Sequence, residues 1–90
     1  MPKISFTPAL QRFFPELREV QLKVHSVKDA LEHLEELHPG IKHYLVEETG
    51  QLRKHINIFI GERLATDRSS LSDVLEDSDE VLIFQALSGG

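Results

Sequence analysis

Asp77-Ser78-Asp79-Glu80-Val81-Leu82-Ile83-Phe84-Gln85-Ala86-Leu87-Ser88-Gly89-Gly90 is the stretch whose reading decides the fold. The first three residues are turn formers. Residues 80–85 then read as a strand, placed centrally in whatever sheet forms. After it the side chains shrink and the stretch ends on two glycines. Glycine lets backbone approach a neighbour closely, so a slim tail with a free carboxylate can thread into another protein's active site. Two glycines alone would read better as a frayed end.

Upstream, Ile56, Ile58 and Ile60 alternate with His55, Asn57 and Phe59 and predict a strand that ends at Gly61-Glu62. Residues 63–65 can return as a short strand, and Leu71, Val74 and Leu75 fit one helical turn. Before these lies a helix. Ser26 with Asp29 three residues on resembles a capping box, and Val27, Ala30, Leu31, Leu34 and Leu37 share one face. His38-Pro39-Gly40 stops it. Residues 41–46 can add a short helical turn, and 47–51 read as a loop. At the start, residues 3–7 form a first strand. Val20, Leu22 and Val24 alternate with Gln21, Lys23 and His25 in the cleanest half-buried strand of the chain. The connection between them carries Leu10, Phe13 and Phe14 and is expected to fold back on the core. One helix set on a mixed sheet of four to five strands is an α+β arrangement.

Composition excludes several functions. Ninety residues allow one domain, and 40% apolar with 28% charged residues suits a folded chain. Zero cysteines remove disulfides, cysteine-based zinc sites and thiol catalysis. Ten basic against fifteen acidic side chains give a net charge of −5, which disfavours nucleic acid and polybasic membrane attachment. Residues 1–8 contain no apolar run of the kind a signal peptide needs, and no run is long enough to span a bilayer. The expectation is a cytoplasmic protein.

Candidate chemistry within the chain is thin. The five histidines (His25, His33, His38, His43, His55) include no His-Glu-x-x-His pair, and His33 and His38 do not share a helical face. They read as solvent-exposed, and no metal is expected. Asp73, Glu76, Asp77, Asp79 and Glu80 lack calcium-loop spacing and read as a solvated acidic turn. Ser69, Ser70 and Ser72 have no glycine elbow, and no phosphate-binding glycine loop exists. No catalytic residue is assigned, and the chain is not expected to be an enzyme.

Residues 69–90 as a whole resemble the ending of the ThiS/MoaD-family sulfur carriers: an acidic turn, a Val-x-Ile strand, then a small-residue tail and Gly-Gly. Residues 55–62 are similar to that family's third strand and turn, and the strand–strand–helix start fits. Ser78 stands where the family usually has glycine. Gln85 stands where proline commonly precedes the tail, so this tail is expected to stay paired to the sheet further along. The resemblance implies a ubiquitin-like β-grasp fold, one sulfur-carrier domain over residues 1–90 with a flexible tail at 86–90, and no bound cofactor. It implies that Gly90 carries the reactive carboxyl, adenylated with ATP by a ubiquitin-activating-type adenylyltransferase and converted to a thiocarboxylate. Gly89 and Ser88 form the slim tail behind it. The sulfur would pass to a synthase, such as a molybdopterin synthase large subunit or a cysteine synthase, with thiamine thiazole less favoured. The chain could then serve as the small subunit of such an enzyme. The alternative is a ubiquitin-like modifier joined through Gly90 to target lysines. A third option is a non-covalent adaptor.

The same resemblance makes the third and last strands neighbours. If Ile56, Ile58 and Ile60 face the helix with Val81 and Ile83, then Phe59, Leu82 and Phe84 cluster on the opposite face. One helix cannot cover both faces, so these three are expected to be largely exposed beside the tail and to form the partner-docking patch. Otherwise Phe13 or Phe14 would fold over them.

Overall fold

The computed structural model describes residues 1–86. Among these residues the elements follow as β1 (Lys3–Phe6), α1 (Pro8–Gln11), β2 (Val20–Gln21), α2 (Val27–Leu37), α3 (Ile41–Leu45), β3 (Ile56–Ile60), β4 (Arg63–Leu64) and β5 (Glu80–Gln85). The described strands make one five-stranded sheet in the order β2-β1-β5-β3-β4. β5 is central: it runs parallel to β1, with Ile4 opposite Val81, and antiparallel to β3, with Ile58 opposite Ile83. The connection from β2 to β3 carries α2. This is the ubiquitin-like β-grasp arrangement that the resemblance implies.

The inner face follows from strand alternation. Ile4 on β1, Ile56, Ile58 and Ile60 on β3, and Val81 and Ile83 on β5 are all buried. They share one core with Val27, Ala30, Leu31 and Leu34 of α2. The Ser26 hydroxyl accepts from the Asp29 N–H at 3.1 Å and starts that helix. The Asp29 carboxylate reaches back to the His25 N–H at 3.4 Å, one residue beyond the Ser26 N–H that a strict capping box would use. At the other end, Glu35 accepts from the N–H groups of Gly40 and Lys42 (3.0 and 2.9 Å). Those two bonds hold its carboxyl below the usual range and fix the corner into α3.

Three expectations are corrected. The alternating run at Val20 makes only two residues of strand, because the Val24 N–H turns back to the Leu22 carbonyl at 3.0 Å. Leu22, whose N–H still donates to the Pro2 carbonyl at 3.0 Å, and Val24 are buried all the same. Leu37, in the last helical turn, is 54% exposed and joins Phe13, Phe14 and Pro39 in an open groove. Residues 71–75 form no helical turn. Leu71 takes the left-handed conformation (φ 58°), and its carbonyl and that of Asp73 accept from Lys28 (2.9 Å) and Val27 (3.0 Å). The segment therefore satisfies the orphan amides at the start of α2. Leu71 and Leu75 turn inward while Val74 is exposed.

Candidate functional site

Alternation along β5 sends Val81 and Ile83 to the core and Leu82 and Phe84 to the other face. On β3, Phe59 lies opposite Leu82, and Asn57 lies opposite Phe84. The diagonal neighbours Phe59 and Phe84 meet edge to face, ring centroids 6.1 Å apart. The three residues thus come together, as the alternation predicts. They are half-buried rather than largely exposed, since each ring shields its neighbours. Leu64, paired with Phe59 from β4, extends the patch and is 50% exposed.

Polar groups rim this patch. On one side Lys3 lies 3.5 Å from Glu80 and 3.9 Å from Glu19. On the other, Arg68 donates to the Asn57 side-chain oxygen at 3.0 Å. At the end toward the tail, Phe84 borders a shallow hollow with Pro8, Ala9 and Arg12. Phe13 and Phe14 do not cover the cluster. They pack on Tyr44, at 5.1 and 6.0 Å between ring centroids.

The last described residues are held from three directions. The Gln85 N–H donates to the Thr7 hydroxyl at 3.2 Å, and the Gln85 side-chain amide donates to the Tyr44 hydroxyl at 2.9 Å. The Ala86 N–H donates to the His55 carbonyl at 2.8 Å. Glutamine at 85 supplies the N–H that Thr7 accepts, a donor that proline would lack. Ser88, Gly89 and Gly90 lie outside the described residues.

Sequence reasoning missed an acidic cradle at the far end of β4. Asp73 is not solvated: its side chain is 5% exposed. Burial pushes its carboxyl up, but N–H groups of Asp67 and Thr66, the Arg63 guanidinium and the Thr66 hydroxyl outweigh it and hold it at about 2. Asp67 in turn accepts from the N–H groups of Ser69, Ser70 and Ser72 and from the Ser72 hydroxyl. The Ser70 N–H contributes most to keeping its carboxyl low. The readable signal was an aspartate followed by Ser69, Ser70 and Ser72, a composition that favours side-chain-to-backbone bonding. Both carboxylates are spent on the loop's own donors, which makes the cradle a brace for β4. Among the described residues no three of His, Asp and Glu converge as a metal site, and no helix is long and apolar enough to cross a membrane.

Comparison with known proteins agrees with this geometry. The chain is 30% identical over 88 residues to small archaeal modifier protein 3 of Haloferax volcanii, covering 88% of this chain and 95% of that protein. It superposes on a chain of the Amycolatopsis orientalis BexX/CysO complex with a TM-score of 0.84 and 26% identity, over the full length of both. Against SAMP1 of Haloferax volcanii the TM-score is 0.80 at 26% identity, over 99% of this chain and 98% of that one. The model of the ThiS family matches residues 11–90. The match takes in α2, every strand of the sheet but β1, and the terminal glycines: the chain belongs to the ThiS family.

Proposed function

We propose that this protein is a sulfur carrier whose Gly90 carboxyl is the reacting group. A carboxylate is a poor electrophile. One of its oxygens attacks the α-phosphorus of ATP in the site of a ubiquitin-activating-type adenylyltransferase, and pyrophosphate leaves. Sulfide then attacks the acyl carbon of the adenylate, AMP departs, and a thiocarboxylate remains. The chain supplies the carboxyl, the slimness of Gly89 and Ser88, and a docking patch of Phe59, Leu82 and Phe84. The observation that carries this reading is the placement of β5. Locked between β1 and β3, it brings Ala86, four residues from Gly90, to the edge of an apolar patch ringed by polar groups. An apolar centre with a polar rim is how protein interfaces are built.

The acceptor is a synthase of the molybdopterin or cysteine type. The support is residues 39–54, which hold α3 and the turn closed by the Val46–Leu52 bridge: by the family resemblance, a span of this length fits those carriers better than the compact thiamine type. The test is direct. The chain is incubated with ATP, the adenylyltransferase and sulfide, and its intact mass is expected to rise by the sulfur-for-oxygen difference. Deletion of Gly90 is expected to abolish the change, and a shift that survives the deletion would overturn the reading.

The second reading is a protein modifier joined through Gly90 to lysines, favoured by the 30% identity to a small archaeal modifier protein. Both uses begin with adenylation. Higher-mass conjugates that resist reducing agents would mark the second.

A further inference from the structure

We infer that Tyr44 is a positioning residue for activation: through Gln85 it fixes the point at which the chain leaves the sheet, and so sets how far Gly90 reaches. The inference rests on the carrier reading above. Gln85 occupies an inward-facing position at the end of β5, and its amide donates to the Tyr44 hydroxyl at 2.9 Å. Tyr44 is itself wedged: Phe13 and Phe14 pack against its ring, and His55 meets it edge-on at 6.5 Å. His55 also supplies the carbonyl that takes the Ala86 N–H. Tyr44 therefore holds the Gln85 side chain directly and packs on the ring of His55, the residue whose carbonyl holds Ala86, although it stands 41 positions from Gln85 in sequence.

Reach makes this matter. An extended chain advances about 3.3–3.6 Å per residue, so Gly90 can lie at most about 13–14 Å from Ala86. Unzipping one residue from the sheet shifts the reacting carboxyl by about 3.3 Å, the separation at which reacting atoms must be held. A misplacement of about 1 Å can lower turnover a hundredfold. The docking patch is untouched by such a slip. Loosening the root is therefore expected to lower turnover and leave recognition alone.

The experiment uses the full chain, ATP and the ubiquitin-activating-type adenylyltransferase of its host, read by ATP–pyrophosphate exchange. Tyr44→Phe keeps the ring packing and removes only the hydroxyl. Its KM with the adenylyltransferase is expected to match the wild type, and its melting temperature to fall by about 5 °C through the orphaned Gln85 amide. Its kcat is expected to fall about tenfold, and hydrogen exchange at the Ala86 amide to quicken about tenfold. Tyr44→Phe combined with Gln85→Met leaves no orphaned amide, so its melting temperature is expected to recover, while kcat and Ala86 exchange, which need the bond, stay as in Tyr44→Phe; their recovery would overturn the positioning role. An unchanged kcat in Tyr44→Phe, or an unchanged Ala86 exchange rate, would overturn the positioning role. Failure of the wild-type chain to support exchange at all would remove the carrier reading first, and the positioning role with it.

Discussion

The two faces of the sheet are built from the same strands and obey different rules. Toward α2, Ile56, Ile58, Ile60, Val81 and Ile83 are at most 4% exposed. Toward the other side, Phe59, Leu82 and Phe84 are half-buried and lie outside the core cluster. The inner residues are all β-branched, a shape that packs well on a pleated surface under a helix. The outer pair is aromatic, and aromatic residues are enriched where proteins meet partners. One face holds the fold together; the other is apolar without being needed for the core.

The contrast is broken most severely from inside. Ile58→Ala opens a cavity where a side chain 1% exposed now sits. Its expected cost is about 2–5 kcal/mol, or more than about 10 °C in melting temperature for a domain of this size. Thermal unfolding followed by circular dichroism measures it.

The brace behind β4 comes next. Asp73→Ala strands the Arg63 guanidinium and the N–H groups of Thr66 and Asp67, for an expected loss of about 2 kcal/mol. The wild-type carboxylate adds a pH signature. Its folded-state pKa, about 2, lies below the ordinary aspartate value of 3.8. In that window the unfolded chain binds more protons than the folded one, so stability rises with pH. The contribution, about 1–2 kcal/mol, is fully present above about pH 4 and is lost as pH falls through 2. Urea titrations between these limits are expected to show the slope in the wild type and a flatter one in Asp73→Ala.

The outer face yields the smallest change in stability. Phe59→Ser removes a half-buried ring and its edge-to-face contact with Phe84, and about 1 kcal/mol is expected. Affinity for the adenylyltransferase is expected to fall by about 2 kcal/mol, or roughly thirtyfold, as for an interface hot spot. Calorimetric titration beside a melting curve separates the two. Loss of folding with no selective loss of binding would show that the faces do different work from that argued here.

What could be read from residues alone divides along a similar line. α2 with its Ser26 cap, the isoleucine alternation of β3 and the strand at β5 were legible, because period and capping act over a few neighbouring residues. The cluster of Phe59, Leu82 and Phe84 was legible once β3 and β5 were set side by side. Its partial burial was not, because that depends on ring meeting ring across strands. Leu71 was misread because its left-handed backbone is fixed by bonds to Asp67 and to the start of α2, far off in sequence. Asp73 was misread for the same reason. Nothing near it in the chain announces that Arg63 and Thr66 will fold over it. Tyr44 gave no local signal at all.

The parallel pairing of β1 with β5 bears on how the protein acquires its shape. Nearly the whole chain lies between Ile4 and Val81, yet these residues sit opposite each other in the middle of the sheet. α2 and the β3–β4 turn close over short loops and can form early. The central strand must wait for a long loop to close, and folding slows as such non-local contacts come to dominate. Until β5 arrives, β1 and β3 each present an open edge, and three of the five residues of β3 are isoleucines. A chain caught at that stage offers a template for pairing with its own copies. Refolding yield is therefore expected to fall with protein concentration more steeply than native stability would suggest. The strand that leads into the C-terminal glycines is also the one whose arrival ends that exposure.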